Sequence, residues 1–415
     1  MQESQRAGAA LRAPAFRWYV LARLAGSIGF QMQGVAVAWQ VYDITRDPLH
    51  LGYVGLAQFL PMFGLTLPAG LVADRYPRRA VLLLCHLVLG ACAAALCVIA
   101  TERTPSVLAI YATLAMVGLG RAFSGAAMHA LVPNLVPRAD FTNAVAWSAT
   151  VWHAATLVGP ALGGIAYAWA DRPLEVYGVA AALQLIAASA VSALKPLHAQ
   201  KRVTGMTPAD FSAGLRYVYA RKIILGSVTL DMFAVLLGGA VALLPVYARD
   251  ILGVGPSGLG ALRSAPAVGA VAMAMVLARF PVSRRAGAIL LASVAVFGVA
   301  TVGFGVSRSF SLSFIMLLLG GAADMVSVYI RHAVVQLATP DELRGRVAAI
   351  NLAFIGASNE LGELESGATA AWLGTVPAVV AGGVGTMVVV LLWTLLFREL
   401  RNVDRLDEES LAPRT

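Results

Sequence analysis

The sequence predicts an all-α membrane protein of twelve transmembrane helices, arranged as two pseudo-symmetric six-helix bundles. Three observations lead there. First, 59% of the 415 residues are apolar and only 13% are charged, against about 45–50% and about 25% in soluble domains. Second, apolar runs of membrane-crossing length follow one another along the whole chain, separated by short polar turns. Third, the second half of the chain repeats the first. This composition excludes a soluble enzyme, a disordered chain and a nucleic-acid-binding domain. The net charge of +9 therefore reads as membrane topology, since Lys and Arg collect on the cytoplasmic side.

The apolar runs, bounded by charges or by Pro and Gly, are 16–41, 51–73, 79–100, 106–131, 143–170, 174–195, 222–247, 257–279, 286–307, 310–335, 346–373 and 376–397. They divide the chain into a cytoplasmic tail (1–15), an N-terminal bundle (16–195), a basic linker (196–221), a C-terminal bundle (222–397) and a second cytoplasmic tail (398–415). Within the linker, Thr207-Pro208-Ala209-Asp210 has the make-up of a helix start and predicts a short amphipathic surface helix. The first apolar run is too long for a signal-peptide core, so no cleaved leader is expected. Cys85, Cys92 and Cys97 share one apolar run and read as small buried residues rather than as a metal site or a disulfide.

Charge counting gives the orientation. With the N-terminus inside, 22 of the 31 Lys and Arg fall in inside segments and five in outside loops. The remaining four, Arg23, Arg121, Arg263 and Arg331, lie within spans. Both termini are thus expected in the cytoplasm.

The repeat has an offset of 203 residues. It takes Gly118 to Gly321, Arg121 to Asp324, His129 to His332 and Pro137 to Pro340. It also takes Gly159 to Gly362 and Gly164 to Gly367. Two homologous six-helix halves imply a transporter whose substrate site lies near the bilayer midplane, where the repeats meet.

Three motifs sharpen this. The loop after the second span reads Gly70-Leu71-Val72-Ala73-Asp74-Arg75-Tyr76-Pro77-Arg78-Arg79 and resembles the signature loop of the major facilitator superfamily, with Pro77 where glycine is usual. Its acid is expected to cap a helix end and its arginines to hold the loop at the inner surface. The matching loop of the second half, 279–285, lacks the acid. In span 4, Arg121 followed by Gly125 resembles the superfamily's fourth-helix motif; a guanidinium at that depth faces a cavity or forms an ion pair between helices. In span 5, Gly159-Pro160-Ala161-Leu162-Gly163-Gly164 is similar to the motif of the antiporter branch. Glycines there let helices approach closely and Pro160 removes a backbone hydrogen bond; simple helix packing is the alternative reading.

Further stretches extend the match: Leu131 to Arg138, Leu230 to Gly239 with Leu243-Leu244-Pro245, Thr339 to Val347, and Ser358 to Gly367. Together they resemble the enterobactin-exporter-like branch of the major facilitator superfamily, from about Phe16 to Phe397. The resemblance implies a major facilitator fold in an inner (plasma) membrane and export of a siderophore or a drug-like molecule. It also implies that spans 1, 4, 7 and 10 line the cavity. Each of those spans carries an ionisable residue, namely Arg23, Arg121, Asp231 and Asp324, and these are the candidate substrate-binding residues. Asp231 and Asp324 are also candidates for proton coupling. So are Glu360 and Glu363 of span 11, which lie about 60° apart on a helix while Glu365 points elsewhere. Pairing of these glutamates with Arg331, Arg263 or a helix end is the structural alternative. His129 and His332 read as interfacial. The candidate gating residues are Gly70, Asp74, Arg75, Arg78 and Arg79 on the loop, with Gly159, Pro160, Gly163 and Gly164 in span 5.

The expected function is thus secondary active transport, by a proton-coupled antiporter working through alternating access. The alternatives are a proton-coupled importer of an organic anion and a membrane sensor or scaffold without a transport cycle. No enzymatic activity, cofactor or metal is expected. No phosphate-binding loop of the G-x-x-x-x-G-K-[ST] type occurs in the sequence, so the proton gradient rather than ATP is the expected energy source. The expected partners are a small-molecule substrate and the lipid bilayer, with no nucleic acid or nucleotide, and the expected state is a monomer.

Overall fold

The computed structural model describes residues 8–195 and 208–407, and among them there are helices and turns but no strand. Thr207, the expected cap of the linker helix, lies outside the described residues. In the first half the helices are α1 (Pro14–Thr45), α2 (Pro48–Gly64), α3 (Thr66–Arg75), α4 (Arg78–Thr101), α5 (Val107–Leu131), α6 (Phe141–Ala170) and α7 (Pro173–Ser192). The linker helix is α8 (Pro208–Ala220). The second half has α9 (Lys222–Gly238), a short turn α10 (Leu244–Val246), α11 (Gly255–Arg279), α12 (Ala286–Val306), α13 (Phe310–Leu337), α14 (Asp341–Leu373), α15 (Thr375–Leu396) and a last turn α16 (Arg398–Arg401). Proline opens α1 and α7 at the first turn, where its missing N–H leaves nothing unsatisfied. The Ser106 hydroxyl accepts from the Ala109 amide at the start of α5.

Among the described residues, eight helices are long and apolar enough to cross a membrane, or nine if α2 and α3 form one span. The chain is therefore a multi-pass membrane protein. α1, α6 and α14, of 32, 30 and 33 residues, have the length but not the uninterrupted apolar character. Leu84, Val98, Ile165, Leu391 and Leu395 are exposed on helix surfaces, where lipid tails rather than water suit them.

The chain forms two compact units. Unit 1 comprises residues 1–46, 57–205 and 255–264; unit 2 comprises 47–56, 206–254 and 265–415. In unit 1 a buried cluster joins Phe16, Tyr19, Leu82, Leu131, Leu135 and Val191. In unit 2 the corresponding cluster joins Ile224, Leu230, Leu290, Ile330, Val334 and Trp393.

The repeat seen in the sequence reappears in the backbone and in the contacts. Pro137, before α6, and Pro340, before α14, have the same dihedrals, φ −57° and ψ 150°. Asp171 closes α6 in the left-handed helical conformation, φ 55° and ψ 20°, and its repeat mate Gly374 closes α14 at φ 90° and ψ 156°, so both helices end on a residue of positive φ. Gly118 faces the backbone carbonyl of Gln58 on α2, and its mate Gly321 faces the backbone carbonyl of Pro266 on α11. Gly159 sits against Gln31 and Ile28 of α1, and Gly362 against Val235 and Leu236 of α9.

The run 222–247 is one span, Lys222–Ile251, as the sequence predicts, but it is not a regular helix throughout: α9 ends at Gly238 and the chain continues as a turn of 3-10 helix, Ala240–Leu243, and then α10. Gly239 leaves helical geometry at φ −74°, ψ 59°. Its carbonyl accepts from the Ser366 hydroxyl of α14 at 3.1 Å. Breaks at membrane depth persist where a neighbouring side chain takes up the freed backbone group, as Ser366 does here.

Gly118→Ala and Gly321→Ala should each lower thermal stability in detergent, because the new methyl meets backbone that has no side-chain freedom to give way; overpacking of this kind costs about 1–3 kcal/mol. Gly125→Ala and Gly356→Ala, whose added methyls meet nothing within 4 Å, should leave the melting temperature unchanged or raised. A melting curve of the purified variants checks both.

Candidate functional site

Of the intramembrane arginines in unit 1, the two candidate binding residues Arg23 and Arg121 sit on α1 and α5. Arg23 donates from Nε to the Ser148 carbonyl of α6 at 3.1 Å and from Nη1 to the Tyr19 hydroxyl at 3.4 Å. Its guanidinium lies 5.9 Å from the Trp152 ring centroid. Tyr19 in turn shares a hydrogen bond with the Ser148 hydroxyl at 2.9 Å. Arg121 stacks over Phe30, 4.4 Å from the ring centroid, a distance at which the ring face attracts the cation. Both cations are thus set among aromatic rings of α1 and α6.

In unit 2 the two aspartates converge on Arg331. Arg331 of α13 pairs through Nη1 with Asp231 Oδ2 of α9 at 2.6 Å. Its Nη2 lies 3.9 Å from Asp324 Oδ1, on its own helix. Its Nε donates to the Ser327 hydroxyl at 3.0 Å. Arg331 and Asp231 are buried, whereas the Asp324 side chain is 46% exposed. The two acids of the second half therefore come with an arginine of their own. The sequence pattern offers Arg331 as a partner for the span 11 glutamates, and the structure gives it to the aspartates instead. A signal was present, since Asp324, Ser327 and Arg331 at i, i+3 and i+7 fall on one helix face.

Glu360 and Glu363 converge as their spacing predicts. A Cβ at Gly55 of α2 would lie 2.7 Å from Glu363 Oε2 and 3.2 Å from Glu360 Oε2, so both carboxylates border one glycine. Glu365 turns away and accepts from the Thr369 hydroxyl at 2.7 Å. Arg263 donates to the Gly34 carbonyl of α1 at 3.2 Å.

The loop between α3 and α4 is built around Arg78. This buried arginine donates to the Ala130 carbonyl at 2.6 Å and to Asn134 Oδ1 at 3.1 Å, both at the end of α5. It thereby caps that helix end, where a cation also meets the negative pole of the helix. Asp74 lies 3.7 Å from Arg78, and the residue before α4 is Pro77, with no side-chain cap hydrogen bond. The expected capping role of Asp74 is thus corrected: the acid orients the arginine, and the arginine caps. Arg79 donates to the Ser192 carbonyl at the end of α7. Arg75 is exposed in the last turn of α3, and Gly70 has open space where a side chain would stand.

The second half makes its corresponding joint from the far end of the chain. Arg285, with φ 54°, presents its amide to Asp404 Oδ1 at 3.0 Å. The next amides, of Ala286 and Gly287, donate to the carbonyls of Asp404 and Val403 at 3.1 and 2.9 Å.

The glycine motif of α6 meets two neighbours. A Cβ at Gly163 would lie 2.8 Å from the Met32 Cα, and one at Gly164 would lie 2.8 Å from the Gly260 Cα of α11. Pro160, inside α6, turns its carbonyl toward Gly260. The repeat mate Gly367 faces Gly52 and the Pro48 carbonyl of α2.

A family model described as "Transmembrane secretion effector", of the major facilitator superfamily, matches residues 6–414. The chain belongs to this family. It is accordingly a transmembrane secondary transporter and not an enzyme. It is 27% identical to the enterobactin exporter EntS of Escherichia coli (strain K12) over 389 residues, covering 94% of this chain and 93% of the relative. The enterobactin exporter EntS of Shigella boydii serotype 18 shows the same identity over 388 residues, with coverage of 94% and 93%. Two solved structures share the fold at low identity. One is an inward-facing, occupied bacterial homologue of the human lysosomal transporter Spinster, with TM-score 0.74, 14% identity and coverage of 93% and 97%. The other is a D-xylose–proton symporter, with TM-score 0.72, 12% identity and coverage of 94% and 98%.

In this family member the loop arginine and the loop acid should differ in weight. Arg78→Ala leaves the Ala130 carbonyl without its donor and removes charge-assisted bonds worth about 1.5–3 kcal/mol each. Asp74→Asn loosens one partly exposed pair at 3.7 Å, worth about 0–1 kcal/mol. Melting curves in detergent should therefore show a clear drop for Arg78→Ala and little change for Asp74→Asn.

Proposed function

We propose that the protein is a proton-coupled antiporter of a bacterial inner membrane that exports a siderophore or a drug-like small molecule by alternating access. α1, α6 and α14 join the nine apolar spans to give twelve, divided as an N-terminal bundle over 16–195 and a C-terminal bundle over 222–397, with both termini cytoplasmic and a monomer as the working unit. The observation that carries the reading is the acid–arginine cluster Asp231–Arg331–Asp324 inside apolar helices of a chain that aligns along 94% of its length with an enterobactin exporter. Ionisable groups at membrane depth are retained where protons or substrates pass. Arg23 and Arg121, each beside aromatic rings, suit an anionic aromatic ligand, because guanidinium presents paired donors to oxygen anions. Asp231 and Asp324, with Glu360 and Glu363, handle the proton. Gly70, Asp74, Arg75, Arg78 and Arg79 on the loop, and Gly159, Pro160, Gly163 and Gly164 in α6, form the joints that change as the transporter cycles. The proton gradient supplies the energy, and no cofactor takes part.

Everted vesicles loaded with this protein and given iron-free enterobactin test the reading. Accumulation should rise when the vesicle interior is acidified and collapse with a protonophore. Arg121→Ala should weaken binding of the ligand, read as quenching of tryptophan fluorescence in the purified protein. Accumulation that is indifferent to the proton gradient sinks the antiport reading, and uptake into intact cells driven by the same gradient sinks export in favour of import.

A further inference from the structure

Two carboxylates share one guanidinium in unit 2, and they share it unequally. Asp231 holds the short contact, 2.6 Å, and only 8% of its side chain is exposed. Asp324 is left with 3.9 Å and 46% exposure. Arg331 is not free to even this out by moving. Its third nitrogen, Nε, is fixed on the Ser327 hydroxyl, and 4% of its side chain is exposed. The guanidinium is a planar fork, so once Nε and Nη1 are seated the position of Nη2 follows. Two acids and one base also leave one negative charge over. A buried charge is costly unless it is paired, and the short pair already satisfies Asp231. The surplus therefore resides on Asp324.

We propose that Arg331 is a positioning residue: it holds Asp231 as a fixed counter-ion and thereby leaves Asp324 as the carboxylate that exchanges the proton. This deepens the proton-coupled reading above and rests on it. Protonation of Asp324 cancels the surplus charge without breaking the 2.6 Å pair, so the cluster changes charge while keeping its geometry. Among the described residues the titratable groups on the neighbouring elements are few, and His332 alone adjoins Arg331 in sequence, where it feels the charges of Arg331 and Asp231. α12 carries no titratable residue along Ala286–Val306. α9 contributes Asp231 itself, with Lys222 at its first position, more than two turns away. α14 contributes Glu360 and Glu363, which border Gly55, and α11 carries Arg263, at the Gly34 carbonyl, and Arg279 in its last turn. On α13, His332 follows Arg331 and is exposed.

Dicyclohexylcarbodiimide, a hydrophobic reagent that adds to protonated carboxyls, reads the assignment residue by residue. The purified full chain in liposomes is labelled and the adducts are located by peptide mass mapping. The wild type should carry the adduct at Asp324 and not at Asp231. Asp324→Asn should carry none at either position. Arg331→Gln should expose both aspartates to labelling, whereas Arg331→Lys should restore protection of Asp231. A purely structural arginine would not move this split between two side chains. Where Arg331→Gln fails to fold, the double variant Asp231→Asn with Arg331→Gln removes the pair together and should still label at Asp324. Equal labelling of the two aspartates in the wild type, no adduct at Asp324, or an unchanged pattern in Arg331→Gln overturns the proposal. The labelling needs no transport substrate. Failed export with the expected adducts removes only the antiporter reading, and proton-driven export with the wrong adducts removes only the role of Arg331.

Discussion

Apolar side chains inside a bilayer gain nothing by leaving lipid for one another, so helices there are held by close contact and by what their backbones can reach. This chain meets that constraint with glycines set directly against neighbouring backbone. Gly118 and Gly321 seat α5 on α2 and α13 on α11. Gly159 and Gly362 seat α6 on α1 and α14 on α9. The ionisable residues inherit their depth from these seats. Arg121 lies three residues beyond Gly118, and Asp324 three residues beyond Gly321, so each charge is carried one turn past a contact that fixes its helix along the axis.

The two halves use the same frame for opposite chemistry. The repeat that puts Arg121 opposite Asp324 in the alignment also puts buried Met128 at the position of Arg331 and Ile28 at that of Asp231. Unit 2 therefore carries an ion pair at two positions where the first half has apolar side chains. Unit 1 keeps its cations beside rings and carbonyls instead. Such a site tolerates charge by polarisation and hydrogen bonding rather than by a fixed counter-ion.

Most of the helix layout was legible in the sequence. The run 79–100 becomes α4 at Arg78–Thr101, and 286–307 becomes α12 at Ala286–Val306, because an apolar run between charged turns has no other stable form in lipid. The pairings were less legible. Helices that are apolar on every side give no directional signal, so their rotation about their own axes is set by packing, and rotation decides which charges meet. That is why Asp231 and Arg331, on different helices, could not be matched from spacing. The break after Gly238 was hidden for a related reason: the hydroxyl that accommodates it comes from Ser366, more than a hundred residues away. The α3–α4 loop had the right residues with two roles exchanged, since an acid near a helix end reads as a cap unless the arginine beside it is seen to reach the end of α5.

The joint at the start of α12 has a consequence for how the protein is made. In the first half Arg78 of the equivalent loop finds its partners at the end of α5, the next helix but one, and Arg79 finds its own at the end of α7, within the same bundle. In the second half the amides of Arg285, Ala286 and Gly287 wait for Val403 and Asp404, which follow only after α13, α14 and α15. Domains assemble from the N-terminus during synthesis. The first turn of α12 therefore gains these partners only after three further long helices have been made, so the joint that opens this hairpin is closed by the segment that follows the bundle.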